Sequence, residues 1–294
     1  MSDYEIKIYE KGIEDAQAQL GTEATTDWTD FGQTPAERLK EYYARDDFDP
    51  ETRLYAFKGE ELVGFIVSRV IPDSEDGIKR AQHDFPIVKE GHEEASKLLY
   101  KKAVDMLKGK GVQVLEARVS KGWKETIELA EKFEYKKARP LIKRIEVDIN
   151  KIKFKETKEK FEDFHPEKDK EQIIQLFKDH FNLTDEQAET NYNGIINPLE
   201  GSYIMPVLRE GDKIISRGLL YITADPKNAI VRPLVPDPQK YMDAYLTKIT
   251  KDAKEKGSEI FQLNLRGPQL EQLDFFKSLG FEVKGKVLIF EKEI

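Results

Sequence analysis

Between Gly91 and Lys108 the apolar residues Ala95, Leu98, Leu99, Ala103, Met106 and Leu107 fall at three- and four-residue steps. That spacing places them on one helical face, and Gly109 or Gly111 ends the helix. The pattern then changes period. Val112 to Val119 predicts a strand, Glu125 to Phe133 a second amphipathic helix, and Tyr135 to Ile149 two strands parted near Pro140. Upstream, Tyr4 to Tyr9 alternates polar and apolar positions, and Ala36 to Ala44 reads as helical. Arg53 to Phe57 and Glu61 to Val70 flank the turn Lys58-Gly59-Glu60 and predict a hairpin. Residues 72–80 form a polar loop, and Ala81 to Val88 a strand whose end Pro86 weakens.

Residues 150–166 carry mostly charge with isolated aromatics, which places a domain boundary near 152 and domains over 1–152 and 153–294. Beyond it, Glu171 to Phe181 reads as a helix, and Tyr203 to Arg209 with Lys213 to Thr223 as a hairpin. Ala229 to Val235 reads as a strand. Asp237-Pro238 gives a helix start running to Lys256 and stopping at Gly257. Glu259 to Leu265, Leu270 to Leu279 and Phe281 to Glu291 predict a strand, a helix and a closing strand pair. The halves match at an offset of 146 without a gap over 95–135: Gly111 falls on Gly257, Ile127 on Leu273, Phe133 on Leu279 and Tyr135 on Phe281. A period this long is a tandem domain, each copy a mixed α/β sheet with helices on its faces.

The 294 residues are 39% hydrophobic and 10% aromatic, enough for a core in each half. The absence of cysteine excludes disulfides, thiolate metal sites and a cysteine nucleophile. No apolar run reaches membrane-span length and MSDYEIKIYE lacks a signal-peptide core, so the expected setting is cytoplasmic. A net charge of −8 argues against a non-specific grip on nucleic acid. No histidine and carboxylate spacing resembles a metal site, and no P-loop or Gly-x-Gly-x-x-Gly is present.

The string Phe275-Phe276-Lys277-Ser278-Leu279-Gly280-Phe281, with the element order above, resembles the closing motif of the GNAT acyltransferase superfamily. The resemblance spans nearly the whole chain as two copies. It implies two tandem GNAT-like folds that use acetyl-CoA or another acyl-CoA as co-substrate and a small-molecule or peptide amine as acceptor. In such a fold the acyl-CoA lies where two parallel strands splay, with its pyrophosphate on the N-terminus of the long helix. The implied contacts are Ile87, Val88, Gly91, His92, Ala95 and Ser96 in the first copy, and Arg232, Val235, Lys240 and Gln269 in the second. Against the usual Gln/Arg-x-x-Gly-x-Gly/Ala loop, the first copy offers Glu90, Glu93 and Ala95, and the second Pro236, Gln239 and Tyr241. Carboxylates ~6 Å from a phosphate cost about 3 kcal/mol each at an effective dielectric near 20, against ~0.3–1 kcal/mol from the helix dipole. Glu93 and Glu94 therefore oppose the pyrophosphate if they face it, and merely support the helix if they face solvent.

The tyrosine that many members use to protonate departing CoA is replaced by Ala130 and Phe276, and the asparagine opening that helix by Trp123 and Gln269. His83 and Glu116 on strands of the first copy, and Tyr221 in the second, are the candidate bases, against plain strand residues. Three functions follow: an acyl-CoA-dependent N-acyltransferase with only one copy needing to be active, a non-catalytic tandem GNAT-like ligand-binding or scaffolding protein, or an aminoacyl or peptidyl transferase, which the charge argues against.

Overall fold

The computed structural model describes residues 3–29, 32–72, 76–198, 201–237 and 239–294. Its first elements are β1 (Tyr4–Ile8), α1 (Glu14–Ala24), α2 (Ala36–Tyr43), β2 (Arg53–Lys58), β3 (Glu61–Val70), β4 (Arg80–His83) and β5 (Ile87–Val88). Then come α3 (Glu93–Gly109), β6 (Val114–Ser120), α4 (Thr126–Lys132) and β7 (Lys136–Asp148). The chain continues with α5 (Pro166–Phe181), α6 (Asp185–Ile196), β8 (Ser202–Ile204), β9 (Val207–Glu210) and β10 (Lys213–Ile222). It ends with β11 (Asn228–Val235), α7 (Met242–Glu255), β12 (Ile260–Arg266), α8 (Leu273–Ser278) and β13 (Glu282–Glu293). Two compact units result: unit 1 is Met1–Ile142 with Gly285–Ile294, and unit 2 is Lys143–Lys284.

In unit 1 the strands run β1-β2-β3-β4-β6-β13, with β5 also on β3. Among the described residues of this unit β4 and β6 are the parallel pair, and α3 makes the crossover that parallel pairing requires. Strand alternation sorts the core. Leu54, Ala56 and Ile66 meet Ala95, Leu99 and Ala103 of α3, while Tyr55 and Phe65 meet Leu20 of α1 on the opposite face. The predicted face of α3 is thus the buried one.

Unit 2 repeats the plan. Its strands run β8-β10-β11-β12-β7, and β11 and β12 are the parallel pair joined by α7. Met242, Tyr245, Ile249 and Ala253 of α7 pack against Leu220, Val231, Phe261 and Leu263. Ile173 and Phe177 of α5 and Ala188 and Tyr192 of α6 cover the other face, over Val207 and Leu219.

Several expectations change. Tyr135 to Ile149 is one strand, and its Pro140 lies in an exposed stretch where a missing N–H costs little. Phe281 to Glu291 is also one strand. Each passes from one unit to the other, so the boundary falls inside the strands rather than near 152. The charged segment 150–166 is not a linker because Phe161 is buried and Ile152 and Phe154 pack on the unit 2 core. Helix α6 was invisible to periodicity, since only Ala188 and Tyr192 are buried. Its signal is the capping box of Thr184 and Gln187. Helix α5 starts at Pro166, and α7 at Met242 rather than at Asp237, with Pro238 outside the described residues.

Candidate functional site

The parallel pair in each unit is zipped for only three residues. In unit 1, Arg80, Ala81 and Gln82 face Val114, Leu115 and Glu116. His83 then remains opposite Ser68 of β3, and Ile87 and Val88 opposite Phe65 and Gly64, while β6 continues to Ser120. In unit 2, Asn228, Ala229 and Ile230 face Ile260, Phe261 and Gln262. Thereafter β11 stays on β10 as far as Val235, and β12 runs on to Arg266. Both units therefore present a V-shaped gap between strands at the end where a long helix begins.

The two gaps differ in what spans them. In unit 1 the Asp84 carboxylate accepts the Arg118 backbone N–H at 3.0 Å and also holds its guanidinium through Nε and Nη2. The next residue, Phe85, is buried and packs edge-on to Tyr135 with ring centroids 5.4 Å apart. The first gap is thus laced by the chain's own side chains. No hydrogen bond or ion pair joins 231–235 to 263–266 among the described residues of unit 2. Buried Val231, Leu234, Leu263 and Leu265 belong to its apolar cluster.

His83 is fully buried, hydrogen-bonded through Nδ1 to Ser68 Oγ at 2.8 Å, and its Nε2 has no partner. Burial holds its pKa down at about 4, so it is neutral and walled off from any acceptor. Glu116 is also buried, with Arg139 Nη2 on both of its oxygens at 2.9 and 3.0 Å. Both of its oxygens are thus engaged by that guanidinium. Gly91 adopts φ of +84° in the turn before α3, and His92 Nδ1 is tied to the Tyr4 hydroxyl at 3.0 Å. Ala95 is buried in the core, and the Ser96 N–H already donates to the His92 carbonyl. Glu93 and Glu94 are exposed.

The strands β6 and β12 keep the offset of 146, and so does the buried face of the long helix: Leu99, Tyr100, Ala103 and Leu107 of α3 fall on Tyr245, Leu246, Ile249 and Ala253 of α7. Helix α7 begins three residues later in that register, so Pro236, Gln239 and Tyr241 all lie ahead of its first residue, Met242. The N–H groups of Gln239 and Lys240 both donate to Asp237 Oδ1, at 2.9 and 3.1 Å. These two donors hold the Asp237 carboxyl below its usual range, so an anion already sits on them. Arg232 is exposed and makes no ion pair among the described residues. Lys240 lies over its neighbour's Tyr241 ring. The Val235 carbonyl is taken by Ser216 Oγ at 3.0 Å, and Gln269 Oε1 accepts the Arg266 N–H, closing its own turn.

The opposite face of unit 2, under α5 and α6, holds a cavity of about 500 Å³ lined by Phe164, Ile196, Tyr203, Met205 and neighbours. Tyr221 packs its ring against Tyr203 beside it, tilted by 38° with centroids 4.7 Å apart. On the same strand Arg217 is 5% exposed, with its guanidinium 4.9 Å above the Phe177 ring. Its Nε is sealed without a partner, and its side chain makes no hydrogen bond or ion pair among the described residues. Burial pushes the guanidinium down to about 10, still protonated at neutral pH. A cation–π contact contributes up to ~2 kcal/mol when desolvated, whereas an unpaired buried ion costs several. The ring does not offset the burial. Sequence reasoning passed over Arg217, although a cation inside the apolar run Ile214 to Ile222 is a visible signal.

Among the described residues no group of histidine, cysteine or carboxylate side chains could hold a metal, and no helix is long and apolar enough to cross a membrane.

No family profile matches the sequence, and no curated protein matches it. Solved structures do match in fold. A tandem GNAT protein from the clavulanic acid biosynthesis pathway is 12% identical with a TM-score of 0.65, covering 99% of this chain and 98% of its own. A GCN5-related N-acetyltransferase from Sphaerobacter thermophilus is 14% identical with a TM-score of 0.58, covering 100% and 96%. The Saccharomyces cerevisiae N-myristoyltransferase, solved with bound myristoyl-CoA, is 14% identical with a TM-score of 0.51, covering 99% and 80%. With parted parallel strands in both units and this full-length likeness, the chain has the fold of a tandem GNAT protein.

Proposed function

We propose that the chain is an acyl-CoA-dependent N-acyltransferase in which unit 2 binds the acyl-CoA and unit 1 is a structural copy. The observation that carries this reading is the gap between β11 and β12, which opens after Ile230 and Gln262 with no side-chain hydrogen bond or ion pair across it among the described residues. Apolar walls suit the pantetheine arm and its acyl group. The pyrophosphate falls to the N–H groups of Gln239 and Lys240, with the Arg232 and Lys240 side chains as exposed countercharges. Strand edges and helix N–H groups supply polar partners without any specific side chain, which is how a sequence this divergent keeps the site.

In the reaction the neutral acceptor nitrogen attacks the thioester carbonyl and gives up one proton to solvent, an amide bond forms and the carbon–sulfur bond breaks. Phe276 stands where a tyrosine would protonate the thiolate, so CoA takes its proton from solvent. Acetyl-CoA as donor, an amine of a small molecule or peptide as acceptor, and a cytoplasmic setting complete the proposal.

The test is the melting temperature in rising acetyl-CoA, with thiol release measured against an amine panel. A ligand that binds only the folded state raises it. Asp237→Ala frees the two N–H groups and is expected to tighten acetyl-CoA threefold to tenfold, while Asp84→Ala in unit 1 leaves the affinity unchanged. No shift at millimolar acetyl-CoA defeats the proposal. The seated Asp237 carboxylate also favours a second reading, a non-catalytic ligand-binding or scaffolding protein. Binding without thiol release from any amine would select it.

A further inference from the structure

We propose that Arg217 anchors a carboxylate carried by the amine that unit 2 acylates, so that the acceptor is an amino acid or a similar carboxylate-bearing amine. This rests on the acyltransferase reading and names its substrate class.

The argument starts from charge balance. Arg217 is a buried cation with no anion of its own. Its neighbours on that face are apolar or already neutralised. Phe177 lies beneath it, and Leu219 belongs to the same cluster. The nearby cation Arg209 is paired with buried Asp169 through Nη2 at 2.6 Å. One uncompensated positive charge calls for one negative charge. A phosphate would bring close to two, whereas a carboxylate matches both the charge and the forked geometry of a guanidinium.

The placement fits an acceptor. Val235, at the end of the strand that leaves the gap, is the β-partner of Arg217. The pairing slips between Arg217 and Leu219, because β11 carries an extra residue around Pro233, which has no N–H to offer β10. Tyr221, Leu219 and Arg217 alternate onto one face of β10. Tyr221 adjoins the cavity through Tyr203, and Met205 of the cavity wall shares an apolar cluster with Phe177 and Leu219. Cavity and guanidinium therefore occupy the same side of one strand, beside the end of the strand that parts from β12. The cavity wall mixes Phe164, Ile196 and Met205 with Asp163 and Ser202, so it sets no single class of side chain.

Binding can be read without acyl-CoA. L-phenylalanine, L-leucine and L-glutamate, each paired with its own amide, are titrated into the full chain and followed by calorimetry and melting temperature. At least one free acid is expected to bind, and its amide at least tenfold more weakly. Arg217→Met, which keeps the stem and removes the charge, is expected to melt higher than the wild type and to lose that preference. Arg217→Lys, which keeps a charge without the fork, should retain part of it. Equal binding of acid and amide, no binding of any acid at 20 mM, or a preference unchanged in Arg217→Met would overturn the proposal. Acetyl transfer to simple alkylamines as fast as to amino acids would defeat the Arg217 assignment and leave the acyltransferase reading standing. Carboxylate binding without any acetyl-CoA binding would do the reverse.

Discussion

His83 carries a pH signature of its own. Its folded pKa of about 4 lies below the unfolded value of about 6.5. Between those values the unfolded chain binds more protons, so this contribution is complete above pH 6.5 and is lost as pH falls towards 4. The size is on the order of 3 kcal/mol. Urea midpoints from pH 4 to 7 should show the fall, and His83→Asn should flatten it; an unchanged slope would mean that His83 is reached by water. The sequence singled out His83 and Glu116 as candidate bases. What it could not show is their surroundings. Ser68 lies on a neighbouring strand and Arg139 on β7, 23 residues beyond Glu116, so both partners are brought together only by pairing. Arg217 is the converse case, a charge whose oddity was written in its apolar neighbours and needed only to be weighed.

At the scale of elements, periodicity located α3, α7 and the strands between them because their buried faces are continuous. It missed α6, whose information lies in a cap rather than a stripe. It did not show that α7 starts about one turn later than α3 in the shared register, because the offset records buried positions and not where a helix begins. The docking of α7 rests on close contact. A Cβ at Gly218 would lie 2.0 Å from the Tyr245 ring, and that ring is fully buried with its hydroxyl bonded to both the N–H and the carbonyl of Leu219. Gly218→Ala is thus expected to cost about 1–3 kcal/mol or more, since the ring has nowhere to move. Chemical denaturation measures this. A neutral result would show that α7 can shift along the sheet, and with it the mouth of the gap.

For the whole molecule, the sequence disclosed duplication and misjudged ownership. Both closing strands looked like domestic pieces of their own halves because hydrophobic patterning records which face is buried, not whose sheet it completes. In unit 1 the residues Val287 to Glu293 pair with β6 from Ser120 back to Val114, and Ile289 is buried. Removing 285–294 strips β6 of that antiparallel partner. Proteolysis of the shortened chain should cut unit 1 first, and a synthetic peptide of residues 285–294 should restore resistance. Equal lability of the two units would refute this.

During synthesis, then, residues 1–142 leave the ribosome well before the segment 285–294 that completes their sheet. Unit 1 must wait for that segment, while residues 143–284 of unit 2 have already emerged. A chain halted before 285 would carry a second unit attached to an open-edged first one, and that exposed edge is what quality control would see.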